Sequence, residues 1–454
     1  MSGGPGKPEA MTNRHPLYCQ FVPPWLLERL AEPGDRTTMT VDLVTQAVEQ
    51  TLRTDAQIRA SREAASPQAT KRATKPAWAV YTAASKQTLP GKLMRTAGDP
   101  DNADPAVNEA ATGGQAALDL FGQVYGRNSY DNAGAEVIMS VHYGQRYDNA
   151  FWNGTQLVFG DGDGQIFDRF TKPVDVLAHE LSHAVTEHTA GLVYSGEPGA
   201  LNESMSDVFG ISAKQRLLGQ TAQQADWLIG EGIFLPGVKA RALRDMAHPG
   251  TAYDDPRLGK DPQVGSYADY VHTSNDNGGV HINSGIPNRA FQLAATGIGG
   301  SSAEGAGKIW YAALTGKNVG PNTDFAGFAA ATVAAAGAHA AIVQQAWTTV
   351  GVTPAAGSTS TGSTTPSRVA VRRSGGFAGV TRTGELDLEG DDPRVTDVRR
   401  LVQGTDFAAI RTQDSRPDAF SYTFSLPDHE EVTVAEHQLT HDLRRLVELL
   451  LDQE

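Results

Sequence analysis

Residues 174–188 read VDVLAHELSHAVTEH, an apolar run that carries two imidazoles and a carboxylate. Either these form a metal site or they are polar residues scattered on a buried helix. His179 and His183 stand four apart, so a helix turns both to one face. Val174, Leu177, Leu181, Ala184 and Val185 supply the apolar stripe that buries that helix. Two imidazoles one turn apart can hold Zn²⁺, and Glu180 stands where it can reach a catalytic water. A third ligand is available in NESMSD, beginning at Asn202, where Glu203 and Asp207 again lie one helical turn apart. Two histidines and a glutamate leave a fourth position open, as a catalytic zinc set requires. Asp207 is suited to accept the other ring N–H of a ligand histidine and fix its tautomer. His188 falls out of register for a third histidine ligand and reads as surface.

The rest of the chain has to accommodate this centre. Its 454 residues suggest two to three domains. A net charge of −14 argues against nucleic acid or an anionic membrane as partner. No apolar run reaches the roughly 18 residues of a membrane span. The opening MSGGPGKPEAMTNRHP lacks the apolar stretch of a signal peptide, so export by a non-standard route is expected, with a cytoplasmic location as the alternative. The single cysteine, Cys19, excludes an internal disulfide framework.

Composition divides the chain. Residues 1–75 contain FVPPWLLERLA and a helical pattern in which Val41, Leu43, Val44, Ala47, Val48 and Leu52 recur at helical spacing. SPQATKRATKP, ending this segment, reads as an exposed and cleavable connector. Residues 76–166 are rich in strand patterns, with GDGDG as a tight turn, and residues 167–353 read as helical and Ala-rich. A β-rich half followed by a helical half gives an α+β architecture with a cleft between lobes. PAAGSTSTGSTTPS, residues 354–367, has the composition of a flexible linker. Residues 368–454 form a further small α+β unit, with four strand-like stretches, a helix pattern in DDPRVTDVRRLVQG and an amphipathic helix in THDLRRLVELLLDQE. His437 and His441 have metal spacing but no third ligand nearby, and read as helix surface.

From about residue 76 to 353 the chain resembles the thermolysin family of two-lobed zinc endopeptidases. SVHYGQRYDNAFWNG, VFGDGDG, the stretch from DVLAHELSH to NESMSDVFG, ALRDMAHP and DNGGVHINSGIPNRA carry the resemblance in family order. It implies that His179, His183 and Glu203 bind zinc and that Glu180 is the general base. His281 and Tyr194 would stabilise the oxyanion, with Asp276 orienting His281 and Asp207 supporting a ligand histidine. Asn149, Ala150 and Arg244 would bind the substrate backbone. Phe167, Phe170, Val176, Ile229 and Leu243 would form an apolar specificity pocket, implying cleavage before bulky hydrophobic residues. The calcium site departs from the family pattern. Asp175, Asp226 and Glu231 match, but Lys214 and Leu228 replace expected acids, so calcium is not expected and Lys214 offers its own cation to the carboxylates.

YCQFVPPWLLERLA resembles the short prosegment of the protealysin-like branch. Cys19 lies three residues before the Pro-Pro pair, and a thiolate is a strong zinc ligand, so a zinc–thiolate latch competes with an ordinary buried cysteine. Residues 368–454 resemble emfourins, small proteinaceous inhibitors of protealysin-like enzymes, most distinctively in RSGGFAG. Ser374, Gly375, Gly376 and Phe377 would then form an inhibitory loop, against the reading of an ordinary hairpin with Phe377 in a small core. The expected partners are peptide or protein substrates, with the prosegment and C-terminal domain as intramolecular inhibitors. Two other functions compete with this reading: an active protease whose tail recruits substrate or partner, and a catalytically silent binding protein on a protease fold.

Overall fold

The computed structural model describes residues 20–31, 44–54, 77–355, 368–375, 382–387, 392, 394, 398, 401–402, 420–426 and 431–451. Two compact units are present, Met1–Gly357 and Ser358–Glu454.

The first unit opens with α1 (Pro24–Ala31), whose Leu26, Leu27 and Leu30 are fully buried. Residues 44–54 are helical and bury Val44, Ala47, Val48, Thr51 and Thr54. A five-stranded sheet follows: β1 (Trp78–Thr82), β2 (Lys92–Thr96), β3 (Val137–Val141), β4 (Ala150–Trp152) and β5 (Leu157–Phe159), in the order β2-β1-β3-β5-β4. β1, β3 and β5 run parallel, while β2 and β4 are antiparallel edge strands. GDGDG turns tightly: Gly162 and Gly164 have φ of 74° and 69°, and one Asp163 carboxylate oxygen accepts the N–H groups of Gln165, Ile166 and Phe167.

The strand-rich reading of 76–166 misses one helix, α2 (Pro105–Asp119). Its start has clear chemistry: Asp104 accepts the Ala106 N–H at 3.0 Å and Pro105 occupies the first turn. The adjacent Gly113 and Gly114 belong to it because of packing. A Cβ on Gly113 would lie 2.9 Å from Leu177, and one on Gly114 would lie 2.6 Å from Met139.

Helices dominate the remainder. α3 (Val174–Glu187) is buried on every side from Asp175 to Thr186. α4 (Gly196–Leu218) packs along it and ends at Gly219, whose φ of 66° fits a left-handed cap. Where the two helices meet, a Cβ on Gly210 would come within 2.9 Å of the Asp175 carbonyl, so only glycine allows this close approach. Two short ribbons pair β6 (Leu228–Ile229) with β7 (Arg244–Asp245), and β8 (Asp254–Asp255) with β9 (Gly259–Lys260). α5 (Asp276–Asn283), α6 (Gly285–Ile298), α7 (Ala306–Leu314), α8 (Phe325–Ala335) and α9 (Ala340–Thr349) complete this unit's described helices.

The described residues of the second unit form a four-stranded antiparallel sheet packed against a C-terminal helix, and Val398, Leu401 and Val402 are helical as well. β10 (Arg368–Gly375), β11 (Arg382–Asp387), β12 (Phe420–Ser425) and β13 (Val432–Ala435) take the order β11-β10-β12-β13. α10 (His441–Leu451) buries Leu443, Leu446 and Leu450 in one cluster with Val369, Val371, Tyr422 and Phe424. Gly384 lets the helix end sit on the sheet, since a Cβ there would clash with the Leu450 carbonyl. Ser374 and Gly375 end β10. Gly376 and Phe377 lie outside the described residues, as does most of the helix expected in DDPRVTDVRRLVQG. His437 is exposed.

Candidate active site

α3 carries His179 and His183, and α4 brings Glu203 opposite them. One ligand atom from each of the three residues lies within 4.8 Å of the others. All three side chains are buried, and the two imidazole Nε2 atoms face each other at 3.0 Å. Their Nδ1 atoms are held from behind: His179 by an Asp207 carboxylate oxygen at 2.9 Å, His183 by Asn202 Oδ1 at 2.8 Å and Ser206 Oγ at 3.0 Å. This fixes the tautomer that turns a lone pair inward on each ring. Burial lowers both imidazole pKa values, to about 4 for His179 and about 3 for His183, so both are neutral, the form that binds metal.

The donor set fits zinc. Two neutral imidazoles and a carboxylate converge, and Glu203 Oε2 is a buried oxygen with no hydrogen-bond partner. Glu180 is fully buried as well, and neither of its oxygens has a hydrogen-bond partner. Burial pushes its pKa well above the ordinary carboxylate range, and the Glu203 charge adds to this. A buried, unpaired carboxylate is expensive unless water or substrate completes it.

The oxyanion side is equally built. Tyr194 OH hydrogen-bonds Glu203 Oε1 and lies 3.3 Å from His281 Nε2. Asp276 Oδ1 holds His281 Nδ1 at 2.6 Å, and Asp276 Oδ2 accepts the His281 N–H at 2.9 Å. Four consecutive residues, Asp276 to Gly279, have φ between 51° and 89°, a turn that folds the carboxylate back onto the imidazole. The two glycines adopt such angles freely, whereas Asp276 and Asn277 do so under local strain. Burial alone would lower the His281 pKa, but the Asp276 and Glu203 carboxylates bring it up to about 9, making the ring a charged donor.

Arg244, on β7, grips Asp207 with two bonds of 2.7 and 2.8 Å, and Asn288 adds a third at 2.8 Å. Burial opposes ionisation of Asp207, but Arg244 and His179 hold its pKa well below the usual range.

Residues 20–22 lie in this cleft. The Phe21 N–H donates to the Ala150 carbonyl on edge strand β4 at 3.1 Å. The Val22 N–H donates to Asn149 Oδ1 at 2.9 Å, and Asn149 Nδ2 donates to the Val22 carbonyl at 3.2 Å. Arg244 Nη1 donates to the Phe21 carbonyl at 3.2 Å, and His281 Nε2 to the Gln20 carbonyl at 2.9 Å. The Phe21 ring meets the His179 ring edge-on at 5.2 Å and lies beneath the Arg244 guanidinium at 4.8 Å. It is fully buried in the main apolar core of this unit, which also takes in Phe167, Phe170, Val176, Ile229 and Leu243. Gly230 leaves room for it, since a Cβ there would lie 3.2 Å from Phe21 Cζ. Cys19 lies outside the described residues.

Direct contacts join His179, His183, Tyr194, Glu203, Asp207, Arg244, Asp276 and His281 around one centre, Glu180 follows His179 on α3, and Asn149 and Ala150 hold residues 20–22. Sequence reasoning missed Asn202, Ser206, Asn288 and Gly230. Asn202 and Ser206 had a signal, since they repeat the four-residue spacing of Glu203 and Asp207 one position earlier on the same helix. His188 is a correction. It is half-buried, packed edge-on against Tyr130 at 5.2 Å, with Nδ1 at 2.9 Å from the Ala184 carbonyl at the end of α3.

Residues 45–187 match the family description "Thermolysin metallopeptidase, catalytic domain", and residues 190–352 match "Thermolysin metallopeptidase, alpha-helical domain". The chain belongs to the thermolysin family. It is a zinc metalloendopeptidase in precursor form, and residues 371–451 match the emfourin family. It is 48% identical over 343 residues to "Extracellular metalloprotease" of Pectobacterium carotovorum subsp. carotovorum, covering 74% of this chain and 96% of that protein. Protease PrtS of Photorhabdus sp. (strain Az29) is 42% identical over 318 residues, covering 70% of this chain and 86% of the relative. The solved precursor of protealysin from Serratia proteamaculans aligns with a TM-score of 0.67 and 48% identity, covering 74% of this chain and 99% of that one.

The calcium region has its own geometry. Lys214 Nζ lies 2.9 Å from Glu231, 3.1 Å from the Leu228 carbonyl and 3.3 Å from Asp226. Among the described residues no helix is long and apolar enough to cross a membrane.

Proposed function

We propose that this precursor matures into an endopeptidase that cuts before bulky hydrophobic residues, and that its two flanking segments restrain it. The placement of Phe21 carries the reading. Its main chain is held on both sides, and its buried ring meets His179 and Arg244 and lies with Leu243 beside Gly230. A substrate bound the same way presents the peptide bond preceding its own apolar side chain.

His179, His183 and Glu203 would hold zinc, whose chemistry when bound is Lewis-acid polarisation of a carbonyl and acidification of water. Glu180 takes the proton from the attacking water and returns it to the leaving amine. His281 and Tyr194 donate to the carbonyl oxygen as it gains charge, and Asp276 keeps His281 aimed. Asn149, Ala150 and Arg244 hold the substrate backbone, which makes attack effectively intramolecular.

Residues 20–22 block that cleft in the precursor, and cutting within about residues 60–76 releases them. Cys19, which precedes the buried Gln20 in sequence, would supply a thiolate ligand to the zinc before maturation. Calcium has no role, because the Lys214 ammonium stands among the acidic groups that would hold it. The emfourin domain inhibits in cis, with Ser374, Gly375, Gly376 and Phe377 as the candidate inhibitory segment. The substrates are extracellular, a reading supported by the printed name of the Pectobacterium relative.

The test uses enzyme freed of its prosegment and ending near residue 353, with a mixture of unstructured peptides. Cuts should fall before Phe, Leu, Ile and Val. A preference for charged or small residues at that position would overturn the specificity.

A further inference from the structure

We infer that the Gln20–Phe21 peptide bond is a built-in substrate of the enzyme's own catalytic centre. This rests on the cleft reading above and names the bond that the centre meets first. Four contacts fix the register. His281 Nε2 donates to the Gln20 carbonyl at 2.9 Å, and the Phe21 N–H donates to the Ala150 carbonyl at 3.1 Å. Arg244 Nη1 donates to the Phe21 carbonyl at 3.2 Å, and the Val22 N–H to Asn149 Oδ1 at 2.9 Å. The Gln20 carbonyl is thus the one presented to the oxyanion donor, and the Phe21 nitrogen is the leaving amine.

The following carbonyls are engaged elsewhere, Phe21's by Arg244 and Val22's by Asn149. A segment that merely plugged the cleft would have no reason to offer a carbonyl to His281. Glu180, buried and without a hydrogen-bond partner, lies on the same helix as His179, whose ring touches Phe21. The oxyanion donor His281 is bonded to the Gln20 carbonyl and lies 3.5 Å from Glu203, and the candidate metal ligand His179 meets the Phe21 ring, so donor and ligands border this bond.

Hydrolysis adds the oxygen of water to the Gln20 carbonyl carbon and breaks the bond to the Phe21 nitrogen. The two water protons pass by way of Glu180 to that nitrogen, and the products are a Gln20 carboxylate and a Phe21 ammonium. The two pieces have different fates. Residues 1–20 leave, with Cys19 among them. The piece beginning at Phe21 stays, because its ring is buried and α1 anchors it through Leu26, Leu27 and Leu30. The cleft remains blocked until the later cut near residues 60–76, so the first cut removes residues 1–20 without activating the enzyme.

The test is intact-mass and N-terminal analysis of the zinc-loaded full chain over time, as wild type, C19S and E180Q. A new Phe21 terminus should appear in C19S and more slowly in wild type. Its rate constant should stay unchanged over a tenfold range of protein concentration, and E180Q should show none. A C19S chain that processes itself between residues 60 and 76, or cuts added peptides, yet never shows a Phe21 terminus would overturn the inference. A rate that scales with concentration would do so too. A C19S chain that cuts nothing at all, added peptides included, would overturn the peptidase reading along with it.

Discussion

Glu180 and Glu203 are both buried glutamates, yet their neighbours give them different work. Glu203 faces two imidazoles, with its oxygens 3.5 and 3.6 Å from the His179 and His183 Nε2 atoms. Glu180 has no partner at either oxygen. Substituting Glu180→Gln should therefore lower turnover by about 10²–10⁴-fold, the usual range for losing a positioned proton carrier, while zinc stays bound. Glu203→Ala should instead lose metal, because two imidazoles alone hold it poorly. Metal content measured beside peptidase rates separates the two outcomes, and near-normal turnover in the Glu180 variant would refute the mechanism. The ligand set was legible in the sequence because helical spacing fixes which side chains share a face. The contacts of Asn149 and Arg244 with residues 20–22 were not, because they join positions 127 and 223 apart and depend on the tertiary fold.

At the scale of elements, Lys214 ties α4 to the Leu228–Glu231 segment and offsets the charge of the fully buried Asp175. Burial pushes the Asp175 pKa up to about 6 and the Lys214 charge restrains the rise. A carboxyl raised above its ordinary value contributes stability that is fully present below about pH 4 and lost as pH rises through about 6. In Lys214→Met the pKa should rise further. The variant should then be destabilised by about 1–3 kcal/mol at pH 7, less than for a fully buried pair because Asp226 and Glu231 are partly exposed. The loss should shrink by pH 5, and millimolar calcium should leave the wild-type melting temperature unchanged. An equal loss at both pH values would rule out Asp175 as its source. His142 gives a second pH-dependent tie, joining Asp104 at the start of α2 to Asp161 by two contacts of 2.8 Å. Hydrogen bonding to Asp161 lifts its pKa to about 9, against burial. Its contribution is present below about pH 6.5 and fades as pH rises through about 9, so His142→Gln should lower the melting temperature at pH 6 and much less at pH 10. The sequence showed α3 through its apolar spacing and one turn of α4 through the Glu203–Asp207 spacing. It hid α2, whose cap is clear but whose Gly113–Gly114 pair argues against a helix until Leu177 and Met139 are seen to occupy the missing side-chain space.

At the scale of the whole molecule, one chain carries a protease and a domain that matches the emfourin family. PAAGSTSTGSTTPS joins them, and a 14-residue linker of this composition spans roughly 20 Å relaxed and roughly 50 Å at full stretch. A catalytic unit of this size has a radius of gyration of about 19 Å by the usual scaling, so the linker suffices for the domain to reach the cleft of its own chain. Tethering sets the effective concentration on the order of mM. An inhibitor of micromolar intrinsic affinity would then leave on the order of 0.1% of the active sites free. After prosegment removal, the full-length enzyme should be about 10²–10³-fold slower on a short peptide than a chain ending near residue 353. The deficit should not change with enzyme concentration, since the inhibitor is part of the same chain. Cutting the linker should convert it to ordinary bimolecular inhibition that dilution relieves. A tail that recruits substrates behaves differently: it leaves the short-peptide rates of the full-length and truncated enzymes equal and speeds only the cleavage of proteins it binds. Equal short-peptide rates would therefore refute self-inhibition and assign the tail to recruitment.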